Sequence, residues 1–252
     1  MDKKQDVTTY RFGLIGRQIS YSFSRKYFSE KFKTERLPHA YQNFDLESIS
    51  EIEHTIKSTE NLKGFNVTIP YKESIIPYLD RLDKTAEAIG AVNTVKILKN
   101  GTLKGYNTDY YGFKKSLTPY LKPYHKRALI LGTGGASKAI AFALGQLNIS
   151  YDFISRPQNS KALLSYEDLN EALIQKYSII INCTPLGTFP NIEVCPNIPY
   201  HALTERHLLY DLIYNPEETQ FLKNGKAQGA CTINGLKMLQ LQAEKAWKIW
   251  NT

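Results

Sequence analysis

Residues that could carry acid–base chemistry follow two predicted strands in the first half of the chain. Asn66 and Thr68 lie two positions apart, so both side chains point to one face of a strand. Pro70 then turns the chain and places Lys72 just past the strand end. Asp109 closes the second strand. Taken singly, such a lysine is usually solvated, and such an aspartate usually forms a turn or a helix cap.

A glycine-rich turn in the second half predicts a dinucleotide site. The buried strand Arg127–Leu131 leads directly into Gly132-Thr-Gly-Gly-Ala-Ser137, and a helix opens over Lys138–Leu147. Glycines let the backbone approach a pyrophosphate, whose charge is favoured by the unpaired N–H groups of a helix N-terminus. The motif itself is loose, so its weight comes from the strand and helix around it. The predicted phosphate-binding residues are Gly132, Gly134, Gly135, Ala136 and Ser137.

The residue after the next strand predicts which dinucleotide binds. The strand Tyr151–Ser155 is followed by Arg156, and no acidic residue occurs until Glu167. An NAD site usually places Asp or Glu here to accept from the ribose 2′-hydroxyl, whereas an arginine can bind the 2′-phosphate of NADP. Charge-assisted hydrogen bonds contribute roughly 1.5–3 kcal/mol each, enough to favour NADP tenfold or more. The alternative is that Arg156 only caps a loop.

A nicotinamide cofactor would give the polar residues of the first half one shared task. Hydride leaves a carbinol carbon only if the hydroxyl also loses a proton, and the reverse reaction needs a proton donor. Lys72 with Asp109 could do this, as a pair whose titrations are coupled. The three cysteines form no CxxC and the five histidines lie in no recognisable motif. We therefore predict no metal site and no disulfide framework.

The elements that must position these residues form one pattern in the first half of the chain. Residues Tyr10–Gly16 predict a strand, Arg25–Lys33 a helix, Phe44–Lys57 a stretch of helical spacing and Leu62–Ile69 a strand. A helix is expected to resume near Tyr71. Asn100-Gly101 predicts a hairpin between Thr94–Leu98 and Thr102–Tyr106, because both residues tolerate positive φ.

Strands alternate with helices in the second half, which predicts a parallel sheet with crossovers. Further strands are expected over Ser178–Asn182 and Leu208–Ile213, and further helices over Leu169–Lys176, Glu217–Asn224 and Asn234–Asn251. The predicted fold class is α/β with two domains: an α/β substrate domain over residues 1–108 and a Rossmann-type, doubly wound NADP-binding domain over 109–233. Residues 234–252 are expected to return to the first domain.

Motifs in a fixed order run over nearly the whole chain and resemble those of the shikimate dehydrogenase family. They are Gly64–Lys72, Ile89–Thr94, Gly105–Asp109, Gly132–Ala136, Asn182–Gly187 and Asn234–Leu239. The resemblance implies reversible NADPH-dependent reduction of 3-dehydroshikimate to shikimate in aromatic amino-acid biosynthesis. Gln18, Tyr21 and Arg25 depart from the family's usual Pro, His and Pro in the first loop.

The resemblance also implies a role for each matching residue. Lys72 is the expected acid/base and Asp109 its catalytic partner, while Ser22 and Ser24 hold the substrate carboxylate with help from Tyr214. The other implied substrate-binding residues are Asn66, Thr68, Asn93 and Gln242. Beyond the glycine turn, the implied cofactor-binding residues are Ser155, Arg156, Thr184, Leu212, Gly235 and Met238.

Composition limits the other functions this chain could have. With 252 residues, 42% of them hydrophobic, it can bury a substantial core. No apolar run approaches the roughly 18 residues of a membrane span, and nothing near the N-terminus resembles a secretion signal. The net charge of +8 is spread widely, without a recognition motif for nucleic acid. We expect a cytoplasmic protein that binds small molecules, as a monomer or homodimer, with no nucleic-acid or membrane partner.

Two other functions stay open on the sequence. An NAD-dependent quinate/shikimate dehydrogenase would share the family but not the metabolic role, and Arg156 argues against it. A non-catalytic dinucleotide sensor would share the scaffold, but it would not need both Lys72 and Asp109.

Overall fold

The computed structural model describes residues 8–20, 22–155 and 164–252, which fall into two compact units. Unit 1 comprises residues 1–108 and 243–252, and unit 2 comprises residues 109–242. The sequence placed the return to the first domain at residue 234, but residues 234–242 stay with unit 2. The reason is close packing at Gly112, where a Cβ would lie 2.6 Å from the Met238 carbonyl oxygen and 3.3 Å from Gln242. Arg156 and Tyr21 lie outside the described residues.

Unit 1 is built on a six-stranded mixed sheet in the order β2-β1-β3-β5-β6-β4. The strands are β1 (Arg11–Gly16), β2 (Ala40–Asp45), β3 (Leu62–Val67), β4 (Arg81–Leu82), β5 (Thr94–Ile97) and β6 (Leu103–Tyr106). The helices are α1 (Phe23–Thr34), α2 (Ile52–Ser58) and α3 (Lys84–Ile89). Because β1 pairs in parallel with both β2 and β3, the loops after these three strands emerge at the same edge.

Two expectations for unit 1 were wrong. The stretch from Phe44 to Lys57 is not one helix: Phe44 belongs to β2, and the helix begins only at Ile52 after a capping box closed by Ser48 and Glu51. Pairing with β1 along its whole length favours the strand there, a contact that local spacing does not reveal. The helix expected near Tyr71 is a series of turns ending in a 3₁₀ turn at Ile76–Tyr78.

The predicted hairpin is present, but its turn is built differently from the expectation. Strands β5 and β6 pair antiparallel, and the Gly101 N–H donates to the Leu98 carbonyl at 2.9 Å. Only Gly101 has positive φ, at 83°, while Asn100 does not. Asn100 instead uses its side chain, which accepts a hydrogen bond from the Thr102 N–H at 3.2 Å.

Unit 2 is a parallel, doubly wound sheet, which confirms the predicted fold class. Its strands are β7 (Arg127–Leu131), β8 (Ser150–Ser155), β9 (Leu164–Ser165), β10 (Ile179–Asn182), β11 (Leu208–Asp211) and β12 (Cys231–Ile233), in the order β12-β11-β10-β7-β8-β9. Every pairing in this sheet is parallel. The strand order reverses between β7 and β10, and such a switch point is where ligands bind in this architecture.

The helices of unit 2 cover both faces of its sheet. They are α4 (Asp109–Leu117), α5 (Gly135–Gln146), α6 (Glu171–Ile174) and α7 (Gln220–Ala227), and α8 (Leu236–Asn251) starts in this unit and ends in unit 1. The central strands β7 and β10 are apolar and buried apart from the exposed Arg127 that begins β7 and the polar, buried Asn182 that ends β10, as a sheet covered on both faces requires. No helix among the described residues is long and apolar enough to span a membrane.

Candidate active site

Lys72 is held by main-chain bonds just beyond β3. The Thr68 N–H donates to the Ile15 carbonyl at 2.8 Å, and the Tyr71 N–H donates back to the Thr68 carbonyl at 2.9 Å. The Lys72 carbonyl accepts from the Val92 N–H at 2.7 Å. The Lys72 side chain is half-buried. These bonds fix the Lys72 backbone and with it the point from which its half-buried side chain extends.

The buried side-chain amide of Asn93 binds Thr108, just beyond the end of β6. The Asn93 side chain is 3% exposed, and its Oδ1 accepts from the Thr108 N–H at 2.7 Å. Its Nδ2 donates to the Thr108 hydroxyl at 3.1 Å. Asp109 follows directly, as the first residue of α4, and is 1% exposed. From the sequence, Asp109 was expected in a turn or at a helix cap. In the structure it is a buried carboxylate at the start of a helix.

The predicted carboxylate-binding serines lie at the N-terminus of α1. Ser22 caps this 12-residue helix and accepts from the Arg25 N–H at 3.2 Å, and Ser24 lies in its first turn. The loop before them is fastened by Asp45, which accepts from the N–H groups of Gln18 at 2.7 Å and Ile19 at 3.2 Å. The first turn of α1 contains no acidic residue, so its N-terminal partial charge is left to an anion.

Thr68 and Asn66 occupy different environments although they lie on one strand face. Thr68 is half-buried just past the strand end, while Asn66 is 9% exposed within β3. Unit 1 therefore brings together six of the predicted site residues: Ser22, Ser24, Asn66, Thr68, Lys72 and Asn93. The other predicted substrate ligands, Tyr214 and Gln242, belong to unit 2, where Tyr214 follows β11 and Gln242 lies on α8 beside Gly112.

The glycine turn in unit 2 leaves the start of α5 open. Gly132 has φ 101°, and Gly134 caps the helix without any side-chain hydrogen bond to its first turn. A Cβ built on Gly134 would meet nothing within 4 Å. Gly135 and Ala136 form the first turn, and the Ser137 hydroxyl turns inward to the Gly134 carbonyl at 2.6 Å. The N–H groups at the start of α5 can donate hydrogen bonds to a phosphate, so this turn fits the pyrophosphate of a dinucleotide.

A buried carboxylate, Asp211, joins the loops after β10 and β11 at the same edge of the sheet. It was not among the residues predicted from the sequence. Asp211 is 0% exposed and accepts from the Thr219 hydroxyl at 2.6 Å and the Ile213 N–H at 3.0 Å. Asn182 donates to Asp211 Oδ1 at 3.1 Å and accepts from the Thr184 N–H at 3.0 Å. Thr184 is thereby held beside the switch point. Polar residues ending otherwise apolar strands were the available sequence signal.

Burial raises the pKa of Asp211 to about 6, partly offset by its hydrogen bonds from Thr219, Ile213 and Asn182. The folded state therefore takes up a proton more readily than the unfolded chain, so stability from Asp211 is complete below about pH 4 and lost as pH rises through 6. We expect wild type to gain about 1 kcal/mol of unfolding free energy relative to Asp211→Asn when pH falls from 7 to 5. Denaturant melts of both proteins at each pH measure this. A pH-independent difference would contradict it.

Gly235 and Met238 follow β12 at the start of α8. A Cβ on Gly235 would overlap the Leu212 backbone, whose carbonyl carbon would be 2.6 Å away. Gly235 also donates from its N–H to the Ile213 carbonyl at 2.9 Å. Met238 is 5% exposed and packs into the core of unit 2, so most of its surface serves packing.

Ser155 ends β8, the strand next to β7 in the sheet, and is 6% exposed. Arg156, the predicted ligand of the 2′-phosphate, follows it outside the described residues. Among the described residues, no group of three or more His, Cys, Asp or Glu side chains could hold a metal ion. The residues that the structure does describe therefore offer Lys72 in unit 1, and in unit 2 the buried Asp109 and a nucleotide-type turn.

These features define a class of protein. A doubly wound unit with an open glycine turn at its switch point binds a dinucleotide, and a second α/β unit carries a fixed lysine among buried polar groups. The class is the two-domain, dinucleotide-dependent α/β dehydrogenase.

Comparison with known proteins narrows the class. The family profile described as shikimate dehydrogenase substrate binding domain matches residues 14–95. The shikimate dehydrogenase (NADP(+)) of Methanosphaera stadtmanae is 41% identical over an alignment of 256 positions, which takes in 94% of this chain and 90% of the relative. The chain belongs to the shikimate dehydrogenase family.

Solved structures agree with this family in their overall fold. A crystal structure of a shikimate dehydrogenase in complex with NADP+ has a TM-score of 0.85 and 37% identity, covering 96% of this chain and 90% of that one. The Thermus thermophilus shikimate 5-dehydrogenase, solved with NADP(H) and shikimate, has a TM-score of 0.84 and 29% identity, covering 96% and 93%.

Proposed function

We propose that this chain is an NADP-dependent shikimate dehydrogenase that reversibly reduces 3-dehydroshikimate to shikimate. The observation that carries the proposal is the fixed, half-buried Lys72 beside Asn93 in one unit, in a chain whose other unit has an open glycine turn at its switch point. Its family relatives named for this reaction support the same conclusion. The reaction belongs to aromatic amino-acid biosynthesis.

Lys72 is the proposed acid/base of the reaction. NADP supplies the hydride acceptor at its nicotinamide ring and, when reduced, the hydride donor. Lys72 takes the proton of the carbinol hydroxyl during oxidation and returns a proton to the ketone oxygen during reduction. Asp109 is the proposed partner carboxylate, buried at the start of α4. No further group is needed to balance the proton.

The substrate carboxylate is proposed to bind at Ser22 and Ser24 with Tyr214 assisting. Hydroxyl donors at a helix N-terminus satisfy an anion without a charged partner, and the first turn of α1 offers no competing acid. Thr68, Asn93, Asp109 and Gln242 are the proposed ligands of the ring hydroxyls. Polar groups fixed in this way discriminate strongly against analogues that leave them unpaired.

The cofactor is proposed to bind along the carboxyl edge of the unit 2 sheet. Gly132, Gly134, Gly135, Ala136 and Ser137 would receive the pyrophosphate, and Ser155 with Arg156 the 2′-phosphate. Thr184, Leu212, Gly235 and Met238 would lie on the nicotinamide side. A Cβ at Gly235 would overlap the Leu212 backbone, and the Thr184 N–H is held by the buried Asn182. Both contacts fix the shape of the carboxyl edge of the sheet, which fits this assignment.

Arg156→Ala will raise KM for NADP at least tenfold and leave KM for NAD nearly unchanged, since one charge-assisted bond is worth roughly 1.5–3 kcal/mol. Initial rates with each cofactor at saturating shikimate measure the two constants. Lys176→Ala, which removes an exposed cation of the same unit, is the matched control. Equal effects on NADP and NAD would remove Arg156 from 2′-phosphate binding.

A four-way comparison of initial rates tests the function itself, with shikimate or quinate as substrate and NADP or NAD as cofactor. The proposal requires the highest kcat/KM for shikimate with NADP. Preference for quinate with NAD would favour a catabolic role for the same fold. Binding of NADP without turnover in any combination would favour a dinucleotide sensor. We further propose that the enzyme works in the cytoplasm as a monomer or homodimer.

A further inference from the structure

A buried chain of hydrogen bonds runs beneath the predicted substrate residues of unit 1. It starts at Tyr41, which donates from its hydroxyl to Asn66 Oδ1 at 2.9 Å. Asn66 Nδ2 donates to the Thr94 hydroxyl at 3.1 Å, and Thr94 donates to Asn93 Oδ1 at 3.1 Å. Tyr41 and Thr94 have no part in the site proposed above, yet Tyr41 holds Asn66, and Thr94 joins Asn66 to Asn93.

Asn66 is committed to this chain rather than to a ligand. Both hydrogens of its Nδ2 are used inside the protein, one by the Thr94 hydroxyl and the other by the Asn93 carbonyl at 3.2 Å. Its Oδ1 accepts from Tyr41. An amide whose two donors are both used cannot donate to a substrate hydroxyl without breaking a buried bond. Asn66 therefore has no donor left for a substrate hydroxyl, and its donors support its neighbours instead.

Thr94 fixes the orientation of the Asn93 amide. Asn93 Oδ1 has two lone pairs, and they are filled by the Thr108 N–H at 2.7 Å and the Thr94 hydroxyl at 3.1 Å. A flipped amide would face these two donors with its NH₂ group, leaving buried donors unsatisfied. The amide is therefore held with its nitrogen on the side of the Thr108 hydroxyl. In this orientation the Asn93 oxygen faces the Thr108 N–H and the Thr94 hydroxyl.

The members of this chain are almost inaccessible to water, so none of these bonds has a ready substitute. Thr94 and Thr108 are 0% exposed, Asn93 is 3% exposed and Tyr41 is 6% exposed. Burial also raises the pKa of the Tyr41 phenol, which keeps it protonated as a donor. Three of the joined residues lie on strands of one sheet, where the backbone restricts any adjustment: Tyr41 on β2, Asn66 on β3 and Thr94 on β5.

We propose that Tyr41 and Thr94 are positioning residues for shikimate oxidation, which fix Asn66 and Asn93 in the orientations that the substrate site requires. This inference rests on the proposed function. It adds two residues that never touch the substrate and changes the role of Asn66 from ligand to support.

Isosteric variants test the proposal, because each removes one hydroxyl and little volume. Thr94→Val will lower kcat/KM for shikimate about 10- to 100-fold, the cost of misplacing a binding group. KM for NADP will stay within about twofold, because the cofactor residues belong to the other unit. Thr94→Ser, which restores the hydroxyl, will recover most of the loss. Tyr41→Phe will act in the same direction, and Thr102→Val on the hairpin will have no effect.

The outcomes separate the two proposals. If wild type turns over shikimate with NADP but Thr94→Val and Tyr41→Phe match it, positioning by these hydroxyls is wrong. Equal damage to the shikimate and NADP constants, or no rescue by Thr94→Ser, would make the chain a purely structural feature and also overturn the proposal. If wild type itself fails to turn over shikimate, the proposed function falls and the positioning proposal falls with it. Should Thr94→Val not fold, Tyr41→Phe decides the question.

Discussion

Lys72→Ala will lower kcat for shikimate oxidation by about 10²- to 10⁴-fold, which is the range that a positioned general acid–base contributes. The hydroxyl proton then has no acceptor at the moment when hydride leaves. Binding of NADP will be unchanged, because the proposed cofactor residues belong to unit 2 whereas Lys72 lies in unit 1. Steady-state rates at saturating shikimate and NADP measure the first effect, and fluorescence titration with NADPH measures the second.

Lys99→Ala is the matched control for this experiment. Lys99 is an exposed lysine on the hairpin of the same unit, so its removal changes net charge equally but touches no proposed site residue. We expect its kcat to equal that of wild type. A Lys72→Ala protein that retains wild-type kcat would exclude Lys72 as the acid/base, whereas a loss confined to KM would make it a substrate-binding group.

Gly134→Ala will weaken NADP binding about 100-fold without damaging the fold. The added methyl meets no protein atom within 4 Å, and the backbone at φ −74° and ψ 178° accepts alanine. It would instead occupy the space that a phosphate needs to reach the N–H groups of α5. A factor of about 100 equals roughly 2.7 kcal/mol, the worth of one or two charge-assisted hydrogen bonds. Titration with NADPH and thermal melting measure both parts.

Gly145→Ala is the control on the same helix. A Cβ at Gly145 also meets nothing within 4 Å, but the residue lies at the far end of α5. Because alanine is favoured over glycine within helices by about 1 kcal/mol, we expect a slightly raised Tm and unchanged NADP affinity. If Gly134→Ala bound NADP as tightly as Gly145→Ala, the pyrophosphate would not lie against this turn.

Features encoded over short stretches could be predicted from the sequence, and the structure contains them. The strand Arg127–Leu131, the glycine turn and the helix after it are local in the chain, and the alternation that follows predicted a doubly wound sheet. The family motifs also predicted the family correctly. Each strand, turn, helix or motif is itself determined by residues close together in the chain.

Features that depend on distant partners could not be predicted in the same way. Strand β2 was missed because its local spacing suits a helix, and only pairing with β1 decides against one. Asp211 reads as the end of an apolar strand, and its importance comes from Thr219 and Asn182, which the fold brings to it. Tyr41 and Thr94 look like ordinary strand residues until the sheet brings them to Asn66, Tyr41 from β2 across β1 and Thr94 from the neighbouring β5.

Sequence also could not separate ligand from support among the polar residues of β3. Asn66 and Thr68 share a strand face, which suggested a shared role. The structure uses both donors of Asn66 within the protein and leaves Thr68 half-buried beyond the strand end. The distinction depends on how many hydrogen-bonding groups of each side chain are already used within the protein, which no local pattern encodes.

The most direct test of the account is transfer of an isotope label from shikimate to the cofactor. Wild-type enzyme is incubated with NADP and shikimate carrying deuterium at the carbinol carbon that becomes the ketone of 3-dehydroshikimate. Mass spectrometry of the products then follows the label. We predict one deuterium in each NADPH formed and none in the 3-dehydroshikimate. Absence of NADP reduction, or NADPH without the label, would contradict direct hydride transfer and with it the proposed function.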